Sequence, residues 1–169
     1  MLQSRLYQLV LNVFRMFSRL SGQRVVVESN GAVPLDVMLK DGVRAKPDVA
    51  ALAGLDRNKL GVLVWHYHDD DVIGTAAEVE LSLSNLPVRS GTVRLRHFRI
   101  DENHSNAFAE WQHIGSPQQP TPAQYARLEK AGQLANLEAP HRVRVKDAHA
   151  TVRFILPRQG VSLLVLGLP

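Results

Sequence analysis

Residues 100–121 read IDENHSNAFAEWQHIGSPQQPT and separate two runs of sequence that are typical of β-strands. Inside this stretch apolar side chains recur every three or four positions, which predicts one face of a short helix. Those side chains are Ala107, Phe108, Trp111 and Ile114. Gly115 and the two prolines that follow predict the end of the helix. A polar segment containing His104 leads into it, so we expect a structured insertion on a β scaffold, where function commonly resides.

A second helix is predicted directly after the first. Its start combines a threonine N-cap, a proline at the first helical position and a glutamine at the third, which together form a capping box. These residues are Thr121, Pro122 and Gln124. Tyr125 and Leu128 are expected to face inward, and Gly132 to end the helix. The two-helix insertion then covers about residues 101–137.

Alternating or β-branched runs on both sides of the insertion predict the strands of the scaffold. They cover residues 24–29, 35–40, 60–67, 77–83, 92–100, 141–146, 150–156 and 161–168. Asn30 and Gly31 predict a tight turn between the first two. Short strands at hairpin spacing are typical of two packed antiparallel sheets. The fold class we predict is mainly β: an antiparallel β-sandwich with an N-terminal amphipathic helix and a two-helix insertion.

Two irregularities qualify the strand pattern. Pro47 disfavours a central strand within residues 43–58, because proline has no N–H to give to a sheet. The alternation of the strand at 92–100 slips at His97 and Phe98, which predicts a bulge that redirects the chain into the insertion.

The first 22 residues predict an amphipathic helix, followed at 23–169 by the sandwich. Seven apolar residues recur at helical spacing, and Asn12 lies among the polar residues assigned to other faces. The stripe comprises Leu6, Leu9, Val10, Val13, Phe14, Phe17 and Leu20. Leaving it in water would cost on the order of 10 kcal/mol, at roughly 1.5–3 kcal/mol per side chain. The helix therefore either covers the sheet or docks on another surface, with Leu6, Val10, Phe14 and Phe17 as the docking residues.

Composition narrows the class of partner. The 169 residues are 45% hydrophobic and 21% charged, which fits a single globular domain. The net charge is +4, but lysine and arginine are scattered among acids, so no nucleic-acid partner is predicted.

The chain has no apolar run of about 18 residues, so no membrane partner is predicted either. The apolar part of the N-terminal stretch is interrupted by Asn12 and Arg15, and no small-residue cleavage site follows, so we predict a helix and not a signal peptide. The compartment stays open, and the absence of cysteine excludes thiolate chemistry.

Motifs for catalysis or metal binding are incomplete. His66 and His68 lie two apart on a predicted strand, before the aspartates at 69–71, and could converge on one ion. No third ligand is evident, so they are weak metal candidates and we predict no metal or cofactor. Asp101 and Glu102 are adjacent and diverge, whereas the two carboxyls of a glycosidase face each other about 5–9.5 Å apart. No nucleophile elbow or phosphate loop is present, and no catalytic residue is predicted.

Several segments together resemble a known family. Residues 100–134 (IDENHSNAFAEWQHIGSPQQPTPAQYARLEKAGQL), 62–71 (VLVWHYHDDD) and 156–166 (LPRQGVSLLVL) are similar to the C-terminal region of family 39 glycoside hydrolases, the β-xylosidase group. Residues 11–25 (LNVFRMFSRLSGQRV) resemble the last barrel helix of those enzymes and the chain leading away from it. The insertion carries the most specific part of the resemblance.

The resemblance implies a (β/α)8 barrel with two catalytic glutamates, acting with retention of configuration, and a β-sandwich formed largely after the barrel. This sequence matches the latter region, and neither catalytic glutamate can be assigned to one of its residues; a barrel needs about 250 residues. We expect an accessory sandwich of a β-xylosidase-like enzyme that is not catalytic alone. The expected partners are a barrel domain or a second copy at the helix, and carbohydrate or a subunit at the insertion loop. The loop residues are Asp101, Glu102, His104, Asn106 and Trp111.

Two alternatives remain open at this stage. A free-standing carbohydrate-binding or protein-interaction module would present exposed aromatic residues, which make up only 6% of the chain. A metal-dependent enzyme similar to the cupins would rest on His66 and His68. Cupins place a glutamate a few residues further on, where this sequence has Val72 and Ile73.

Overall fold

The computed structural model describes residues 3–70, 72 and 74–169, with side chains from residue 10 onward. The predicted docking residue Leu6 therefore lies outside the described side chains, and Asp71 and Ile73 outside the described residues. The elements, in chain order, are α1 (Gln3–Phe17), β1 (Gln23–Val25), α2 (Leu35–Asp41), β2 (Asp48–Asp56), β3 (Lys59–Tyr67), β4 (Ala77–Leu83), β5 (Gly91–Ile100), α3 (Ala107–His113), α4 (Pro122–Ala131), β6 (His141–Val145), β7 (Ala150–Leu156) and β8 (Gly160–Gly167).

The strands form two antiparallel sheets. The larger has the order β1-β2-β3-β8-β5-β6 and the smaller pairs β4 with β7. Apolar residues from both sheets share one core, among them Val62, Val64, Leu95, Leu164 and Leu166 from the larger sheet and Leu83, Val152 and Leu156 from the smaller. The predicted β-sandwich with its N-terminal helix and two-helix insertion is confirmed.

The other face of the six-stranded sheet is covered by α1. Met16 is fully buried there and packs with Leu63, Phe98 and Leu163. Gly22 brings the chain from α1 onto the sheet: its φ is 83°, and a Cβ at this position would lie 2.0 Å from the carbonyl oxygen of Leu55. Only glycine fits such a close approach in the left-handed region.

The bulge predicted at His97 and Phe98 is wrong. The register of β5 with β8 runs without interruption from Arg94↔Gly167 to Ile100↔Val161. His97 pairs with Leu164 of the inter-sheet core, whereas Phe98 packs in the cluster under α1. The apparent slip in the pattern arises because this half of β5 is buried on both faces.

The strand predicted at 35–40 is also wrong, because this segment forms α2. Its apolar residues fit a helical spacing as well as an alternating one. Asp36 in the first turn and Lys40 in the last suit the helix dipole, and Gly42, at φ 73°, follows the last turn. These end signals favour the helix.

Three smaller corrections concern the edges of elements. The objection to a central strand near Pro47 is wrong, because β2 begins directly after it, at Asp48, and loses no ladder donor. The first strand ends at Val25 rather than at residue 29. Leu128 is buried as expected, but Tyr125 is exposed on α4.

Within the described residues, each helix is too short or too polar to cross a lipid bilayer.

Candidate functional site

The loop between β5 and α3 is built around the side chain of Asp101. Asp101 is 7% exposed. Its Oδ1 accepts hydrogen bonds from the backbone N–H of Asn103 at 2.9 Å and from Nδ1 of His104 at 2.7 Å. Its Oδ2 accepts from Nη1 of Arg99 at 3.3 Å. One carboxylate therefore fixes the loop backbone, an imidazole and a buried guanidinium.

Asn106 joins this loop to α3. Its Oδ1 accepts from the N–H groups of Phe108 and Ala109 at 3.1 and 3.0 Å, which is the N-cap arrangement of a helix. Its Nδ2 donates to the carbonyl oxygen of Asp101 at 3.1 Å. The same side chain thus starts the helix and closes the loop.

Asn12 of α1 fixes the insertion from outside. It is fully buried, and its Nδ2 donates to the carbonyl oxygens of Ser105 at 3.0 Å and Gly132 at 2.9 Å. Ser105 has φ 55°, a left-handed conformation held here by this contact and by the bond from the N–H of Ala135 to its Oγ. Asn12 therefore connects α1 to both the entry and the exit of the insertion, although its spacing predicted a polar face of the helix.

His104 is partly exposed to solvent. Its side chain is 41% exposed and lies against a cavity of about 600 Å³. Because Nδ1 is bonded to Asp101, Nε2 is the nitrogen left for a ligand, as acceptor or as proton carrier. Other described residues that line the cavity are Glu102, Asn106, Glu110, His113, Arg127 and Lys130.

The cavity combines donors and acceptors suited to a hydroxyl-rich ligand. Its two carboxylates are not equivalent, because Nη2 of Arg127 contacts Oε1 of Glu110 at 2.6 Å, and Glu102 is exposed. Glu102, His104 and Asn106 thus line the same cavity.

Trp111 occupies a different position. Its ring packs beside that of Phe108 with 5.7 Å between centroids, and its Nε1 donates to the carbonyl oxygen of Pro117 at 3.0 Å. It is buried, and it is not among the residues that line the cavity. Its position holds the turn after α3 against the helix.

The three predicted docking residues of α1 whose side chains are described lie on its exposed side. Val10, Phe14 and Phe17 are exposed, at 52%, 65% and 45%, while Met16 is buried beneath them. Leu11 is also exposed on the same helix. We call the set Val10, Leu11, Phe14 and Phe17 the outer face of α1.

His66 and His68 are engaged by the backbone. Nδ1 of His66 donates to the carbonyl oxygen of Leu156 at 3.0 Å. Nε2 of His68 donates to the carbonyl oxygen of Arg44 at 3.0 Å, and its Nδ1 accepts from the N–H of Asp70 at 3.1 Å. Over the described part of the chain, no three histidine, aspartate or glutamate side chains are grouped as metal ligands.

A buried polar cluster beneath the loop was missed from the sequence. Ser162 Oγ lies 2.9 Å from Nε2 of His97 and accepts from Nε of Arg99 at 2.8 Å. Burial, with the charge of Arg99 adding to it, lowers the pKa of His97 to about 4. Burial also lowers the pKa of Arg99, opposed by its bond to Asp101. The signal for this cluster is the period-two spacing of His97 and Arg99, two polar residues on an inward-facing register.

Comparisons with known proteins agree on the fold. A model of the family described as "Glycosyl hydrolases family 39" matches residues 3–148. A family 39 enzyme from Xanthomonas axonopodis pv. citri superimposes with a TM-score of 0.62 at 20% identity, over 75% of this chain and 28% of its own. A monomeric β-xylosidase from Caulobacter crescentus CB15 gives 0.65 at 16% identity, over 92% and 29%. A bacterial orthologue of human α-L-iduronidase gives 0.57 at 23% identity, over 80% and 23%.

At these identities the likeness shows the fold. This chain spans less than a third of each of those enzymes. A comparison with curated proteins finds no match.

Proposed function

Because this chain belongs to glycosyl hydrolases family 39, we propose that it is an accessory β-sandwich portion of a β-xylosidase-like glycosidase and is not catalytic alone. The observation that carries this proposal is that α1 has one buried side and one exposed apolar side. One side, through Asn12 and Met16, is buried against the insertion and the sheet. The other side leaves four large apolar residues in solvent.

The outer face of α1 is suited to a contact with a catalytic barrel. Four partly exposed apolar side chains on one short helix form the kind of patch that marks an interaction surface. The matched region makes up less than a third of each similar enzyme, so most of their mass lies outside it. We propose that the outer face of α1 meets that additional mass, and that without it the chain associates with itself.

The loop would then contribute to a sugar site. His104 is oriented by the buried Asp101 and faces a polar cavity, which is the arrangement expected for a group that binds a hydroxyl. Glu102 and Asn106 line the same cavity. We propose that these three residues contact carbohydrate, and that Asp101 acts through His104.

A titration with xylose and xylobiose, followed by amide chemical shifts, tests the sugar site. We expect saturable shifts near His104 and Glu102 that disappear in His104→Ala. His149→Ala is the matched control, since His149 is an exposed histidine remote in sequence from the loop. The sugar-site proposal is refuted if millimolar sugar leaves the loop signals unchanged.

Sedimentation equilibrium tests the outer face of α1. We expect weight-average mass to rise with concentration for the unchanged chain and to stay monomeric for Phe14→Glu. Gln119→Glu introduces the same charge on an exposed residue of the insertion, outside α1, and should behave like the unchanged chain. A monomer at all concentrations would contradict self-association through this face.

A further inference from the structure

The Asp101 carboxylate that holds His104 is itself held by Arg99. Oδ1 of Asp101 accepts from the loop, whereas Oδ2 accepts from Nη1 of Arg99 at 3.3 Å, and both side chains are buried. A guanidinium gives a carboxylate a defined orientation as well as a favourable charge. The orientation of Asp101 therefore depends on where the guanidinium of Arg99 is fixed.

Two further strands fix that guanidinium. Arg99 extends from β5, and its Nε donates to Oγ of Ser162 on β8 at 2.8 Å. Its Nη2 donates to the carbonyl oxygen of Ile155 on β7 at 2.9 Å, and its Cζ lies 5.9 Å from the centre of the Phe154 ring. The donors of the guanidinium form a rigid planar fork, so separate acceptors for three of its nitrogens hold the side chain in one position. Arg99 thus ties the loop to both sheets of the sandwich.

The hydroxyl of Ser162 gives this chain of hydrogen bonds a direction. A guanidinium can only donate, so Ser162 accepts from Arg99 and its own hydroxyl proton is left for another acceptor. Among the described residues one acceptor is in reach, Nε2 of His97 at 2.9 Å. Ser162 is fully buried, and a buried donor without an acceptor costs stability. Ser162 therefore donates to Nε2 of His97.

His97 must then be neutral, with its proton on Nδ1. Burial lowers the pKa of His97 to about 4, which keeps the ring neutral near pH 7. Nδ1 lies 3.9 Å from Oε1 of Glu138, so a proton on this nitrogen faces a carboxylate. The donor of Ser162 and the charge of Glu138 thus select the same tautomer.

The bonds on the loop side of Arg99 have an equally fixed direction. Arg99 donates to Asp101, and an ionised carboxylate can only accept, so Asp101 accepts from Nδ1 of His104 at 2.7 Å. A neutral His104 therefore carries its proton on Nδ1 and presents Nε2 as an acceptor. An acceptor beside the cavity suits a ligand hydroxyl, which can donate to it.

We infer that Arg99 and Ser162 are positioning residues for the sugar site, an inference that rests on the proposed function. Ser162 fixes the guanidinium, and the guanidinium directs the carboxylate of Asp101. The carboxylate in turn holds His104 as the tautomer whose Nε2 accepts a hydroxyl of the ligand. Arg99 and Ser162 are not among the residues that line the cavity, so both act through Asp101.

The two tautomers test this chain of hydrogen bonds without any substitution. Long-range ¹H–¹⁵N correlation spectra of the full chain report which nitrogen of each ring carries the proton. They are recorded at about pH 8.5, above the ordinary titration range of imidazole. We expect a proton on Nδ1 and none on Nε2 for both His97 and His104. A proton on Nε2 of either ring would overturn the inference.

Substitution of Ser162 tests the link to sugar binding. Ser162→Ala removes the acceptor of Nε of Arg99, so we expect both tautomers of His104 to be populated. The Kd for xylobiose should rise about tenfold, the equivalent of one hydrogen bond. Val152→Ala is the matched control, because it removes a buried side chain from the inter-sheet core outside this chain of hydrogen bonds. It should change neither the His104 spectrum nor the Kd.

The outcomes separate this inference from the sugar site itself. If Ser162→Ala leaves the Kd and the His104 spectrum unchanged, the inference is wrong and the sugar site stands. Equal losses of affinity in Ser162→Ala and Val152→Ala would show that Ser162 contributes stability alone, which also overturns it. If xylobiose does not bind to the unchanged chain, the sugar site is refuted and the inference falls with it.

Discussion

The loop at residues 101–106 and the turn at residues 66–70, which includes the end of β3, contain the same residue types but hold their histidines differently. Each combines histidine with aspartate close along the chain. In the turn, both nitrogens of His68 are used by backbone groups. In the loop, Asp101 takes one nitrogen of His104 and leaves the other beside a cavity. Histidine close to aspartate in the sequence therefore does not define a site. What defines it is a ring nitrogen that no group of the protein already uses in a hydrogen bond.

Removal of the Asp101 side chain is expected to cause the largest loss in the free energy of unfolding. Asp101→Ala leaves the buried guanidinium of Arg99 without its carboxylate, and breaking a buried pair costs about 3–5 kcal/mol. Urea denaturation would measure the loss in the free energy of unfolding. Asp70→Ala is the matched change in the turn, where the carboxylate that contacts Arg158 is half exposed, and should cost about 1 kcal/mol or less. Equal losses would contradict the distinction.

The pKa of His97 reports how far water is excluded from the buried cluster under the loop. His97 belongs to this cluster because it and Arg99 both contact Oγ of Ser162. Its pKa is lowered from 6.5 to about 4 in the folded chain. The unfolded chain therefore binds the proton first as the pH falls. Stability should drop between about pH 6.5 and pH 4, by about 3 kcal/mol in total, and should not change further from this group below pH 4.

The measurement is the difference in unfolding free energy between the unchanged chain and His97→Asn across this pH range. Subtraction removes the contribution of the other titrating groups. If the difference in unfolding free energy stays constant from pH 7 to pH 4, His97 is solvated and water reaches the cluster under the loop.

The contact of Asn12 tests whether the loop depends on α1. Asn12→Ala leaves the carbonyl oxygens of Ser105 and Gly132 without this donor, at a cost of about 2 kcal/mol. Thermal unfolding followed by circular dichroism would measure this loss of stability. Ser18→Ala, at an exposed residue directly after α1, is the control. Hydrogen exchange should increase within the insertion and stay unchanged in the turn at 66–70.

The two histidines provide the smallest and most direct contrast. His68→Ala removes a buried ring that bonds to Arg44 and Asp70, so it should cost about 1–3 kcal/mol of stability and leave sugar shifts unchanged. His104→Ala should cost less than about 1 kcal/mol, because the ring is partly exposed, and should abolish those shifts. The reverse pattern would move the site to the turn.

Much of the fold was predictable from the sequence, for reasons that particular segments illustrate. β4 and β7 were predicted to the residue, because one face of each is buried and the alternation is clean. The capping box at Thr121 was confirmed, because N-cap chemistry is local. The pattern of β5 led to the wrong prediction of a bulge, because burial of a strand on both faces removes the alternation. The segment at 35–40 was ambiguous, because its apolar spacing satisfies both periods and only its end signals indicate a helix.

The site was less predictable because it depends on contacts distant in sequence. Asp101, Glu102, His104, Asn106 and Trp111 were predicted from the sequence as one loop set, but their separate positions were not: Trp111 does not line the cavity. Asn12 bonds to residues 93 and 120 positions away, and no local pattern reveals that partnership. Nor does the sequence show that α1 has two apolar sides, since a stripe indicates only that some partner surface exists.

The central proposal is that this family 39 chain is an accessory portion of a glycosidase and does not cleave a glycosidic bond by itself. Hydrolysis of an aryl β-xyloside by the purified chain tests this proposal most directly. Glu102 and Glu110 are the carboxylates on the cavity and supply the matched variants Glu102→Gln and Glu110→Gln. The account predicts release of phenolate at the uncatalysed rate for the unchanged chain and for both variants. Turnover by the unchanged chain that either substitution abolishes would contradict it.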